Sequence, residues 1–504
     1  MAESLHSCPK CMHVFGLSGV DLPPPTPTVV PADLLETNDP PLESQIPILR
    51  DFLSNRRPLM TALDAQIAVL QAPLDTLLQR KAEMVLEIGA HKGALSLLRR
   101  MPTEILGHIF RLTLPPHQRY AIESAPWTIS AVCARWREIV ISQPCFWTSI
   151  RYKEAKRSIP NGLKYETQLR RSGELPLNIE FHLNDEEALL LYYELILEMV
   201  CKHAGRWETA SFRGPGILFD QLQRLIQEQL GHLRKLSIEV EHTDENHPVD
   251  IFHDAPLLQT VYVNREMWVF PVVMVLPWSQ LSRYGGSNTW EGHRNALLGA
   301  SNLVECSLEI QSPPITTQSP IVLPRLLRLS LSNSQFLGYL ETPALLELYC
   351  DYDTVPILSF LRQQACRLRK LVLWDCSSPD DPANLTRIVE AVPTITSLSQ
   401  LFPLPLGFAR DFSSRPTMAP ALEYFSSFPT SEEVEEHFLQ AIEQRWLHHR
   451  LKSVKVYNTD SLTIRDRLEL LRTQGMECVV FKGPRPYPQE DIPGEFRIST
   501  IDFD

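Results

Sequence analysis

The sequence predicts a protein of mixed α+β and α/β repeat class: an N-terminal helix, a small all-helical unit, then a solenoid of short parallel strands and helices. Three observations predict it. Apolar residues keep heptad spacing between residues 63 and 88, two amphipathic helical stretches lie between Leu98 and Ile150, and a short apolar unit recurs from about residue 205 onward.

Size and composition set the frame. At 504 residues the chain suggests two or three domains. Hydrophobic residues make up 44% and charged residues 21%, the mix of a globular protein with a core. The net charge is −12, from 60 acidic and 48 basic residues. That balance argues against a general nucleic-acid binder, which needs a concentrated basic face to neutralise phosphates. Met1–Lys10 lacks the apolar h-region of a secretory signal. The longest uncharged apolar stretch, Met267–Trp278, is broken by Pro271 and Pro277, whereas a membrane span needs about 20 apolar residues. The 10 cysteines are scattered, without the spacing of a disulfide framework. The expectation is an intracellular, reducing location, cytoplasmic or nuclear, with no membrane or nucleic-acid partner.

Residues 1–42 read as a Pro-rich tail without regular structure, since Leu22–Pro27 and Pro40-Pro41 favour extended, solvated backbone. Cys8-Pro9-Lys10-Cys11 within it is half of a zinc site. No second pair follows at finger-like spacing, so no metal or other cofactor is expected. Residues 43–95 form the amphipathic helix. Leu63, Ile67, Leu70, Leu74, Leu77, Met84 and Ile88 follow a heptad seam in which Lys81 takes the skipped position. Pro73 inside the pattern is expected to kink or break it. The seam fits a dimeric coiled coil or a helix folded back on the neighbouring domain, and the second is expected.

Between Leu98 and Ile150, Pro102 suits the first turn of a helix. Ile105, Ile109 and Leu112 follow on one face, with Leu106 and Phe110 alongside. Pro115-Pro116 ends that helix. A second helix is expected to carry Val132, Trp136, Ile139 and Val140, stopped at Pro144. So small a unit with two wide apolar faces can bury one and present the other to a partner. These residues carry a resemblance. Leu98–Leu106 (LRRMPTEIL) with Ile109-Phe110, then Trp127, Ser130 and Val132–Arg137, then Pro144-Cys145-Phe146-Trp147, resemble the opening, second half and close of an F-box. With the preceding heptad helix, the pattern is most like the F-box proteins of mushroom-forming fungi. It covers about a tenth of the chain, assigned to residues 96–150. Met101 stands where Leu is commoner, and Leu114–Pro126 is longer than the usual connection. The resemblance implies docking to the Skp-type linker of an SCF ubiquitin ligase through Pro102, Ile105, Leu106, Ile109, Val132, Cys133 and Trp136.

Residues 170–482 repeat the unit Lxx(L)x(L). Its first residues are Leu233, Leu258, Leu281, Leu303, Leu326, Leu345, Leu368, Ile395, Leu422 and Leu451, at steps of 19 to 29 residues. Those steps match or approach leucine-rich repeats. Many copies follow an x-Pro step, such as Ala255-Pro256 and Thr342-Pro343, read as setting an extended backbone before each strand. The eighth residue after the first Leu, normally Asn or Cys, is Glu241, Glu266, Gln311, Ser334, Asp353 or Cys376, so a regular Asn ladder is not expected. Thr430 with Glu433 reads as a capping box before Val434 and Phe438. Residues alternating with the buried ones point to the open face of such strands. This assigns Glu239, Tyr262, Glu309, Tyr349, Asp351, Trp374 and Tyr457, aromatic residues mixed with acids, to a target-binding surface. Residues 483–504 are a C-terminal tail.

No phosphate loop, HExxH helix or GxSxG elbow occurs. The expected function is that of a non-enzymatic adaptor, the substrate-receptor subunit of an SCF-type ligase. It would hold the linker protein at one end and an unknown target protein on the solenoid. The alternative is a repeat-based interaction scaffold unconnected to ubiquitination.

Overall fold

The computed structural model describes residues 6–7, 14–15, 40–114, 125–153, 162–183, 190–226, 230–240, 249–265, 274–310, 319–364, 367–374, 383–448, 450–457 and 461–481. These fall into two compact units, Met1–Leu106 and Gly107–Asp504.

In the first unit, β1 (His6–Ser7) and β2 (Val14–Phe15) pair antiparallel, which corrects the expectation of an unstructured tail at those four residues. Cys8 and Cys11 lie outside the described residues. Helix α1 (Ile46–Ala94) runs for 49 residues straight through Pro58 and Pro73, correcting the expected break. A continuous helix tolerates proline where neighbouring turns keep their own bonds and the ring faces outward. Ile67, Leu74, Leu77, Met84 and Ile88 of the seam are exposed. α2 (Leu97–Arg100) follows, and α3 (Thr103–Leu112) begins after Pro102, whose carbonyl accepts from Leu106 N at 3.1 Å.

In the second unit the expected single helix after residue 125 is two, α4 (Ala125–Val132) and α5 (Ala134–Ile141). Cys133 separates them in an extended conformation, φ −159° and ψ 169°. A 3₁₀ turn at Pro144–Trp147 leads directly into β3 (Ser149–Lys153). The sheet therefore starts within the block assigned to the helical unit, not near residue 170. Then come α6 (Gly162–Arg171), β4 (Leu177–His182), α7 (Leu190–Cys201), β5 (Trp207–Gly214), α8 (Gly216–Leu225), β6 (Lys235–Val240), β7 (Thr260–Arg265), β8 (Arg283–Asn288), α9 (Trp290–Gly299) and β9 (Glu305–Ile310). The short strands β10 (Ile321–Val322) and β12 (Leu340–Glu341) flank β11 (Arg328–Leu331) and pair with each other in parallel. The chain continues through β13 (Glu347–Asp351), α10 (Thr354–Gln363), β14 (Lys370–Trp374), α11 (Ala383–Glu390), β15 (Ser397–Pro403), α12 (Leu406–Ser414), β16 (Tyr424–Phe428), α13 (Glu432–Leu447), β17 (Ser453–Tyr457), α14 (Leu462–Thr473) and β18 (Glu477–Phe481).

Apart from those two short pairs, the strands form one 14-stranded parallel sheet in unbroken sequence order from β3 to β18. Parallel neighbours need a crossover, and each helix or turn between strands supplies one. This is a solenoid-like α/β arrangement in which each unit buries its apolar side on the next. The repeat residues make that core. All ten first positions, from Leu233 to Leu451, are buried, as are the alternating pairs Leu236/Ile238, Cys306/Leu308 and Leu371/Leu373.

The prolines act differently from expected. Leu258 N donates to Ala255 O, Leu326 N to Leu323 O, Leu345 N to Thr342 O, Ile395 N to Val392 O and Leu422 N to Ala419 O. Each x-Pro proline is thus the second residue of a β-turn, where its fixed φ is already correct. The fourth residue of each turn is the buried first position of the repeat, two residues before its strand. The capping expectation also shifts by one residue: Ser431, not Thr430, caps α13 by accepting from Val434 N.

Candidate partner-binding surfaces

Helix α3 carries two stripes. Leu106 and Phe110, one turn apart, are buried. Ile105, Ile109 and Leu112, at i, i+4 and i+7, stay in solvent, with Ile105 at 51% and Ile109 at 39% exposure. A helix that leaves bulky aliphatic side chains in water along one face has an unburied apolar stripe available for a partner.

The remaining helices hold a compact aromatic core. Phe110 packs on Trp136 with ring centroids 4.7 Å apart, so Trp136 is half-buried and serves the unit's own packing. Trp127 meets Trp147 edge-on at 5.0 Å, and Trp147 Nε1 donates to Val140 O at 2.9 Å. The Arg171 guanidinium of α6 lies over Trp147 at 4.5 Å and Trp127 at 5.5 Å. Val132 (59% exposed) and Cys133 form the exposed step between α4 and α5.

Of the seven residues assigned to linker docking, Pro102, Ile105, Ile109, Val132 and Cys133 are therefore exposed and Trp136 half-exposed. Leu106 is fully buried at 0% and cannot meet a partner without unfolding α3's inner stripe.

The open face of the sheet divides along its length. Two residues after each first Leu from Leu281 to Leu368 stands a charge of alternating sign: Arg283, Glu305, Arg328, Glu347, Lys370. Strand register makes them neighbours. Arg283 Nε lies 2.7 Å from Glu305 Oε2, Arg328 bridges Glu305 and Glu347, and Tyr349 OH donates to Glu347 Oε2 at 2.6 Å. Lys370 Nζ sits 5.1 Å from the Tyr349 ring centre. Sequence reasoning missed this ladder, although the fixed offset from each first Leu was its signal. Its three cations outnumber its two acids by one, and its ion pairs link β8, β9, β11 and β13.

Glu239, half-buried, pairs with Arg213 at 3.7 Å, and Tyr262 is half-buried beside Gly285, where a Cβ would stand 3.1 Å from its ring. Glu309 is exposed. Asp351 accepts from Ser334 N, and burial raises its carboxyl above the usual range. Tyr349 and Tyr457 are corrections. Both are buried, in a second apolar cluster with Val372, Leu401 and Phe428, against which Trp374 packs. They miss the surface because register sets Tyr349 beside Val372, and because Phe481 stacks on Tyr457 at 5.0 Å. The accessible part of the proposed target surface is therefore Glu239, Tyr262, Glu309, Asp351 and Trp374.

Of the eighth-position residues, Asp353 caps α10 by accepting from Val355 N at 3.2 Å. Ser334 opens the 3₁₀ turn Ser334–Tyr339. Glu241, Glu266, Gln311 and Cys376 lie outside the described residues. Among the described residues, no cluster of three or more His, Cys, Asp or Glu could hold a metal ion, and no helix is long and apolar enough to cross a membrane. The chain matches no known family and no curated protein.

Proposed function

We propose that the chain is an F-box adaptor of an SCF-type ubiquitin ligase. It docks on the Skp-type linker through α3 and the α4–α5 step and offers a target protein the open face of its leucine-rich-repeat-like sheet. The observation that carries this reading is the exposed aliphatic stripe Ile105, Ile109 and Leu112, on the helix whose sequence resembles the opening of an F-box. A side chain of this kind gains most when a partner takes it out of water. The chain performs no chemistry in this role. Its contribution is positional, raising the effective concentration of a target lysine near the transfer site.

The test is co-purification with the Skp-type linker, comparing wild type with Ile105→Lys/Ile109→Lys. Both residues are exposed, so the variant keeps its fold, whereas changing Leu106 would confound unfolding with lost docking. Burying two ammonium groups in an apolar interface costs several kcal/mol, about a hundredfold or more in affinity. Retention of the linker by the wild type and its loss from the folded variant is the expected result. Equal retention by both would sink the assignment of this face. A wild type that never holds the linker would favour the interaction scaffold.

A further inference from the structure

Helix α1 leaves a regular apolar seam uncovered over nearly four heptads. Assigning Ile67 to position a of the heptad places Leu74 and Ile88 at a, and Leu63, Leu77 and Met84 at d. The helix begins at Ile46, so the same register also runs back through Leu53 and Met60, both exposed and both at a. Neither proline falls on the seam: Pro58 is at f and Pro73 at g. A helix of about 74 Å with this much exposed apolar surface is stabilised by a matching helix.

We propose that the occupant of this seam is a second copy of the chain, joined in a parallel, in-register, two-stranded coiled coil. Two features of the seam select it. Ile67 and Ile88 at a, with Leu63 and Leu77 at d, are the pairing that favours two parallel strands, while Leu53, Met60 and Leu74 share the a row, and the lone Lys81 at a fixes register at some loss of stability. In a two-stranded coil that ammonium can reach water along its own stem.

Charge supports the same direction. Parallel pairing sets Glu87 at g opposite Lys92 at e of the second copy. Arg80, also at g, is already held by Glu83 at 2.9 Å on its own helix. The other cation on the seam, Arg56 at d, lies over the Phe52 ring at 5.2 Å. Antiparallel pairing centred on the seam would separate Glu87 from Lys92. This assembly is independent of linker docking, so either reading can fail without the other.

The test is sedimentation equilibrium of the full chain. Wild type is expected at twice the chain mass in the low micromolar range, and Ile67→Lys/Leu74→Lys at the single mass with unchanged circular dichroism. Oxidised Ile88→Cys is expected to form a linked dimer that the wild type does not form, because position a meets its own copy only in a parallel register. A single mass up to about 100 μM would overturn the proposal. So would three chain masses, a double mass that survives the lysine substitutions, or no cross-link at residue 88.

Discussion

Two buried basic side chains, one charged and one neutral, show how single residues tie the solenoid together. Among the described residues, Arg445 of α13 has no carboxylate partner. Its guanidinium donates to Phe412 O at 2.7 Å, Met418 O at 3.2 Å and Arg415 O at 3.3 Å, collecting carbonyls at the end of α12 and in the turn beyond. Burial lowers its pKa to about 10, which leaves it charged at neutral pH. His293 of α9 is wholly buried. Its Nε2 lies 3.1 Å from Glu309 O, a group that can only accept, so Nε2 carries the proton and Nδ1 accepts from Tyr284 OH at 3.0 Å. Burial holds the imidazole neutral, lowering its pKa to about 4 from an unfolded value of about 6.5. The unfolded chain therefore binds this proton first as pH falls. The stabilisation is fully present above about pH 6.5 and lost between there and pH 4, roughly 3 kcal/mol from this group. His182, lowered to about 3 by burial and then by Arg213, Lys153 and Arg151, acts in the same sense. Urea unfolding from pH 7 to pH 4 is expected to show this loss, with a shallower slope in His293→Gln. An identical slope in the variant would remove His293 from the account.

At the scale of elements, α3 separates packing from recognition within one helix. Truncating its inner stripe, Leu106→Ala or Phe110→Ala, is expected to destabilise the protein by about 2–5 kcal/mol. Ile109→Ala on the outer stripe should change stability by less than about 0.5 kcal/mol. Thermal denaturation of the three variants checks this, and a large loss from Ile109→Ala would mean that the outer stripe is buried in solution. Both stripes were legible in the sequence as i, i+4 spacing, but which one faces solvent was not. That depends on Trp136 arriving over Phe110 from another helix. The break at Cys133 was not legible either, because neither glycine nor proline marks it. The repeat strands were legible wherever leucine opened them. β3, β4 and β5 escaped because Ile150/Tyr152, Ile179/Phe181 and Ala210/Phe212 fill the same buried rows with other shapes. Tyr349 and Tyr457 alternate correctly to the open face, yet their burial is decided by neighbours 23 to 24 residues away in sequence.

Across the second unit, the helical segment and the sheet form one body rather than two domains. The 3₁₀ turn ends at Trp147 and β3 begins at Ser149, while Trp147 and Phe146 are wholly enclosed and Arg171 of the first crossover helix covers Trp147. A solenoid exposes an apolar end unless something caps it. At the β3 end the adjoining segment is α4–α5, linked through Trp147, which Trp127 meets edge-on and which Arg171 covers together with Trp127. Val132 and Cys133, at the α4–α5 step, thus belong to the same compact unit as the sheet. Trp147→Ala removes the indole that Val140 O, Trp127 and Arg171 all engage, at about 3–5 kcal/mol. In a repeat stack each unit couples to its neighbours, so the loss should be local before it is global. Hydrogen exchange is expected to show faster exchange in β3 to β5, with β15 to β18 unchanged. Uniform acceleration through all fourteen strands would mean that the sheet unfolds as a single cooperative unit, and that the packing around Trp147 stabilises all of it.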